Sequence, residues 1–286
     1  MKRVNFENGT ITQNILSAAL PMLIAQIINL LYNIVDRIYI ARIPDVGTAA
    51  LGGVGLCFPV IIMITAFSNL FGSGGAPLFS IKRGMGDDTA ADTIMNLAFT
   101  MLCLSAVVLT LIGLIFARPI LILFGASSDA LIYARPYLMI YVLGTLPSML
   151  STGLNPFINA QGYSTTGMLT VAIGAFTNLV LDPIFIFVFH MGVRGAALAT
   201  ILSQTLSAAF VLRFLKTKAE LKIRFLPWKE LTAGWNYIKE IVSLGTAGFI
   251  MLVTNSLVSI CCNSVLSATG GDLYVSVMTI ISSVRQ

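Results

Sequence analysis

The feature that most constrains this chain is a succession of long stretches nearly free of charge. A helix needs about 20 largely apolar residues to cross the hydrocarbon core of a bilayer. Seven such stretches are complete, at residues 14–39, 50–79, 94–117, 131–160, 165–189, 194–215 and 241–267, and an eighth begins at residue 273. In lipid every backbone donor and acceptor must be satisfied internally, so an unbroken run of this length is a helix. Strands of a membrane barrel would instead be segments of about 10 residues with alternating polarity. Composition agrees, with 57% hydrophobic and 10% charged residues, against about 25% charged in soluble domains. The expected fold class is therefore all-α, a polytopic membrane protein. The opening MKRVNFENGTITQN has no apolar core followed by a small-residue cleavage site, so the first span is expected to be retained.

With the N-terminus in the cytoplasm, eleven basic residues fall on the cytoplasmic side (Lys2, Arg3, Lys82, Arg83, Arg213, Lys216, Lys218, Lys222, Arg224, Lys229 and Lys239). Five fall on the other side, Arg37, Arg42, Arg118, Arg135 and Arg194. The positive-inside rule selects that orientation. Basic residues at membrane edges, rather than on one soluble face, leave the net charge of +5 without a nucleic-acid reading. Three regions follow: an N-lobe of six helices over residues 1–215, a cytoplasmic linker over 216–240, and the start of a second lobe over 241–286. In the linker, Trp228, Leu231, Trp235 and Ile238 recur at helical spacing and predict an interfacial amphipathic helix. A weak internal repeat pairs LPMLIAQ at Leu20 with LGTAGFI at Leu244, and Gly47 with Gly271, an offset of 224 residues. A complete second six-helix copy would run to about residue 440, so roughly 150 residues are expected beyond Gln286.

Ionisable groups inside a span are costly and mark function by default. Two acids qualify, Asp36 late in the first span and Asp182 in the second half of the fifth. Gln26, Asn29, Asn33 and Asp36 follow 3, 4, 3 spacing and form one polar stripe. Asn178 and Asp182 are one turn apart, followed by Pro183, which frees the carbonyl of Leu179. The sixth span adds Thr200, Gln204 and Ser207 on one face. Carboxylate, amide and hydroxyl oxygens suit a hard cation such as Na⁺, and a carboxylate in an apolar setting can equally carry a proton. Asp36, Asn178, Asp182 and Thr200 are therefore the candidate cation-coupling residues, with Na⁺ possible at that set, and Gln26, Asn29, Asn33 and Gln204 the candidate polar lining of a cavity. The plainer alternatives are that Asp36 neutralises Arg37 and that Asn178 with Asp182 only joins helices. Arg37, at the next helical position, is expected to snorkel outward and to matter less. His190 reads as a solvated loop residue, and Cys57, Cys103, Cys261 and Cys262 lie in apolar spans with no metal or disulfide spacing.

Six segments taken in order resemble the multidrug and toxic compound extrusion family: LLYNIVDRIYIA from Leu30, GTAALGGVGLCFPV from Gly47, GSGGAPLFSIKRGMGD from Gly72, NPFINAQGYSTTGM from Asn155, TNLVLDPIFIF from Thr177 and RGAALATILSQ from Arg194. The resemblance implies twelve helices in two lobes, a cavity between them and alternating access driven by Na⁺ or H⁺. It maps the family's first-helix acid to Asp36, and its Asn, Asp and Thr to Asn178, Asp182 and Thr200. Ala41 departs from the glycine that often follows the acid-bearing helix. The implied function is antiport: cationic or amphipathic drugs leave in exchange for Na⁺ or H⁺, with no cofactor and no required protein partner beyond membrane lipids. The rival within the same superfamily is a flippase for lipid-linked oligosaccharides, which would need Arg or Lys in its cavity. Here Lys is absent from the first six spans and the Arg residues are expected at span ends. An enzyme is disfavoured because HExxH, a Gly-x-Ser-x-Gly turn and a phosphate loop are absent.

Overall fold

The computed structural model describes residues 10–44 and 46–285, with the side chains of Ile11, Trp228 and residues 283–285 left aside. Lys2, Arg3 and Gln286 lie outside the described residues. All regular structure in them is helical: α1 Ile11–Ala41, α2 Gly47–Gly55, α3 Phe58–Gly84, α4 Asp88–Leu123, α5 Ser128–Leu143, α6 Thr145–Ala160, α7 Ser164–Pro183, α8 Gly192–Thr217, α9 Trp228–Ala233 and α10 Trp235–Arg285. Local chemistry sets the starts. Thr10, Asp87 and Ser127 each place a side-chain oxygen on a backbone N–H three residues on, at 3.3, 3.0 and 3.0 Å, closing donors that a helix start leaves free.

Several expected spans are broken. Residues 131–160 form two helices, α5 and α6, bent by 58° at Gly144. The second span is α2 followed by α3, with a break at Leu56 and Cys57. Beyond Pro183, α7 continues as a π-helical turn over Ile184–Val188, where a proline has removed an amide donor from the regular ladder. The seventh and eighth spans are not separated by a loop. They run on as α10, interrupted at Gly271, whose φ of 66° is left-handed and favours glycine. The linker helix is also divided, since α9 stops at Ala233 and Trp235 opens α10.

Helices α1 to α8 close into a bundle in which α1 lies on α7, and α3 contacts α4, α6 and α10. Small residues set the spacing, as is usual where packing rather than hydrophobicity joins helices in lipid. A methyl group at Gly72 would strike the carbonyl of Gly153, and one at Gly74 the backbone of Ile241 and Gly245. Nearby, Phe79 and Phe157 meet edge to face at 5.6 Å. On the outside of α4, Leu104, Val107, Val108, Leu111 and Ile115 are more than half exposed, an apolar stripe suited to acyl chains. Helix α10 runs antiparallel along α3, with Ser256 Oγ donating to Pro59 O at 2.9 Å. Its far end is tied by Ser127 Oγ donating to Asp272 at 2.6 Å and Ser276 Oγ to Thr48 O at 2.9 Å. Most of α10 past Gly245 is nevertheless exposed or half-buried.

At the opposite end, residues 218–227 carry no helix and lie against the bundle. Asn96, fully buried, accepts from the Arg224 amide at 2.7 Å and donates to Lys222 O at 3.4 Å. Gln161 grips Leu221 the same way, accepting from its amide at 3.2 Å and donating to its carbonyl at 3.3 Å. Arg83 with Glu220, and Arg224 with Asp92 and Glu230, add ion pairs outside these clasps.

Candidate functional site

The four coupling candidates stand in one wall of the bundle. Asp182 and Asn178 are fully buried on α7, with Thr200 beside them on α8. Asn178 Nδ2 lies 3.3 Å from Asp182 Oδ1 and 3.4 Å from Thr200 Oγ1, donating to both. The Thr200 hydroxyl proton is used by Ala196 O at 2.9 Å, which leaves its oxygen free to accept. Because α1 packs on α7, Asp36 meets Asp182 within side-chain hydrogen-bonding reach. Each acid keeps one buried oxygen, Asp36 Oδ1 and Asp182 Oδ2, with no hydrogen-bond donor among the described residues. Two carboxylates in contact inside an apolar wall repel unless a cation or a shared proton lies with them. The arrangement can therefore hold a monovalent cation among carboxylate, amide and hydroxyl oxygens, or a proton between the acids.

Two adjoining cavities border this cluster. The larger, about 600 Å³, is lined by Asp36, Asn33 and Thr200 from the bundle and by Asn255, Ser259 and Asn263 from α10. The second, about 380 Å³, holds Gln26, Asn155 and Ser207. Asn29, Tyr32, Thr152, Thr200 and Gln204 line both. All four residues of the expected polar lining thus face one cavity or the other. Asn33 spends its amide on Asn29 O at 2.8 Å, whereas Gln204 Oε1 is buried without a partner among the described residues. Asp182 and Asn178 lie behind the lining and reach the cavity through Asp36 and Thr200.

One expectation is corrected. Arg37 does not snorkel outward: its side chain folds inward, 8% exposed, with Cζ 4.5 Å from the centre of the Phe58 ring at the start of α3, and lines the larger cavity. The cavity therefore does contain an arginine, because an aromatic face on α3 offers the guanidinium a partner that spacing along α1 does not reveal. Further lining residues carry sequence signals of a familiar kind. Asn255, Ser259 and Asn263 repeat every four residues, about one helical turn like the 3, 4, 3 stripe on α1, and Tyr137 and Tyr141 stack at 6.1 Å in a four-residue register.

Comparison with known proteins gives a consistent neighbourhood. A sequence profile of the family MatE matches residues 21–184, more than half of the chain. Over 266 residues the chain is 27% identical to multidrug export protein MepA of Staphylococcus haemolyticus, covering 93% of this chain and 58% of that protein. MepA of Staphylococcus aureus is 25% identical over 269 residues with the same two coverages. The chain thus spans less than two thirds of these relatives' length. Among solved structures, the multidrug transporter DinF-BH superposes with a TM-score of 0.86 at 30% identity, over 99% of this chain and 63% of that one. The inward-facing conformation of a multidrug resistance transporter of the MOP superfamily superposes with a TM-score of 0.80 at 26% identity, over 92% and 60%.

Proposed function

The chain belongs to the MatE family, and from that premise we propose that it supplies the first lobe, and the opening helices of the second, of a secondary antiporter. The antiporter exports cationic or amphipathic small molecules in exchange for Na⁺ or H⁺. It sits in a bacterial plasma membrane with its N-terminus and the 216–240 linker in the cytoplasm. The observation that carries this reading is the Asp36 and Asp182 pair: one oxygen without a donor on each acid, at the wall of a cavity large enough for an organic substrate.

The mechanism follows from charge balance. With no cation at the pair, Asp36 presents negative charge to the cavity and attracts a cationic substrate. A Na⁺ held with Asn178 and Thr200 beside Asp182, or a proton shared between the acids, arrives from outside, cancels one of the pair's two negative charges and weakens the attraction that kept the substrate there. Binding of the two is then mutually exclusive, and export is driven by the inward ion gradient. Helix α10 forms the opposite wall, so relative movement of α10 and α3 changes which end of the cavity is open.

Arg37 also gives the flippase reading a foothold, since a cavity arginine is what a pyrophosphate-linked substrate requires. A single arginine beside an acid favours a small amphipathic substrate over a pyrophosphate-linked lipid. The two readings separate in vesicles containing the whole transporter. An imposed Na⁺ or pH gradient is expected to drive efflux of a fluorescent cationic dye. Gradient-independent movement of a lipid-linked sugar, with no dye efflux, would overturn the proposal.

A further inference from the structure

A hydrogen bond that can be exchanged for another partner costs little to break, whereas a buried polar group left bare costs much. The end of the bundle away from the 218–227 segment carries a seam made of exchangeable bonds. There α4 turns into α5, and the start of α2 stands beside the outer part of α10. Ser127 Oγ donates to Asp272 Oδ2 at 2.6 Å and also accepts from the Ala130 amide, so the α5 cap survives if Asp272 leaves. Asp272 is half-buried, and water can take the place of Ser127 at its carboxylate. Ser276 Oγ reaches Thr48 O at 2.9 Å and Asp272 O of its own helix at 2.8 Å, so its hydroxyl keeps an acceptor when the first is withdrawn. Nearer its start, α10 is held differently. A methyl group at Gly74 of α3 would strike the backbone of Ile241 and Gly245, and one at Gly245 the carbonyl of Leu70. Backbones meshed this closely leave no slack between the two helices.

We propose that the seam of Ser127, Asp272, Thr48 and Ser276 is the outer gate of the larger cavity, shut in this structure, and that it parts by α10 swinging about its glycine contact with α3. The gate stands at the cavity's edge, for Gly55 and Thr279 pack together and both line the cavity. Ser276 and Thr279 are 2% and 3% exposed, while most side chains around them on α10 are exposed or half-buried. What covers these two is α2, and it does so with glycine: a methyl group at Gly52 would meet Ser276, and one at Gly55 would meet Thr279. A helix face without side chains offers nothing to interlock with, so the hydroxyl-bearing face of α10 can lift away from it without unfolding either helix. Thr279 Oγ1 donates to Val275 O at 2.9 Å within its own helix and keeps that bond throughout. Which end is outer rests on the orientation in the antiporter reading, for which the seam is the barrier on the side where the coupling ion enters and the substrate leaves.

A disulfide tests the seam in the whole transporter, with its other cysteines replaced by alanine. A β-carbon placed on Gly52 lies 3.7 Å from that of Ser276, inside the roughly 3.5–4.5 Å range of disulfides. Gly52→Cys with Ser276→Cys is therefore expected to cross-link under mild oxidant, to lose gradient-driven dye efflux when oxidised, and to regain it on reduction. Failure to cross-link, or efflux at an unchanged rate from fully cross-linked protein, would overturn the gate. The second arm needs no transport and no double variant. Ser259→Cys puts a thiol in the cavity wall, and a membrane-impermeant maleimide added outside intact cells reports how often the outer end opens. Asp272→Ala removes the bond to Ser127 but leaves the α5 cap. It should raise the labelling rate about tenfold, the shift in a closed–open balance that loss of one hydrogen bond to a charged group brings. An unchanged labelling rate would mean that the seam does not hold the outside shut, and refutes the gate even where dye efflux is normal. Faster labelling in a protein that moves no dye under either gradient would keep the gate and sink the antiport reading.

Discussion

Asp182 has one carboxylate oxygen held by Asn178 and the other without a donor among the described residues. Replacing it by Asn keeps size and hydrogen-bonding capacity but removes the charge that a coupling ion must neutralise, so Asp182→Asn should fold and yet fail to cycle. Gradient-driven dye efflux is expected to be abolished while the size-exclusion profile stays that of the wild type. Efflux at the wild-type rate with the same ion dependence would make Asp182 a structural residue. Both acids are legible from sequence because a carboxylate in an apolar run has so few structural uses. Asn178 and Thr200 follow from helical register with Asp182 and Gln204. Arg37 is not legible, since its inward turn depends on where Phe58 lies in space, and no one-dimensional pattern on α1 encodes a ring contributed by α3.

Among the elements, hydropathy locates every span but not the breaks within them. Both sides of Gly144 are apolar, so averaging over a window hides a 58° bend, and the same holds at Leu56 and Cys57. The expected spans stop at residue 267 and resume at 273, which leaves a break between them; the helix instead resumes at once, and the chain turns at a single left-handed residue. Close packing at glycine is a further property that sequence does not expose, since Gly72 and Gly84 look alike in the α3 pattern. The structure separates them. Gly72 abuts the Gly153 backbone, whereas nothing lies within 4 Å of a methyl at Gly84. Gly72→Val should therefore destabilise the lobe by about 1–3 kcal/mol through overpacking against a backbone that cannot yield. Gly84→Ala should be neutral or slightly stabilising, as expected for a helical glycine with free space. Thermal unfolding of the two variants in detergent checks the contrast, and equal midpoints would refute it.

For the molecule as a whole, the segment after α8 is the connection on which any relative motion of bundle and α10 depends. Asn96 and Gln161 each bind its backbone through both a donor and an acceptor. Asn96→Leu combined with Gln161→Leu should leave the helices folded but speed hydrogen exchange at the Leu221 and Arg224 amides, because their acceptors are gone. Unchanged exchange at both amides would mean that the ion pairs of Arg83 and Arg224 suffice to hold the segment. The pinned stretch has a mechanical consequence. With residues 221–224 clasped to the first bundle, the slack left before α10 is confined to the few residues around α9 and Gly234. A joint that short behaves as a crank: it transmits torque, restricts travel to rotation about a near-fixed axle, and leaves the two bodies little freedom to slide apart.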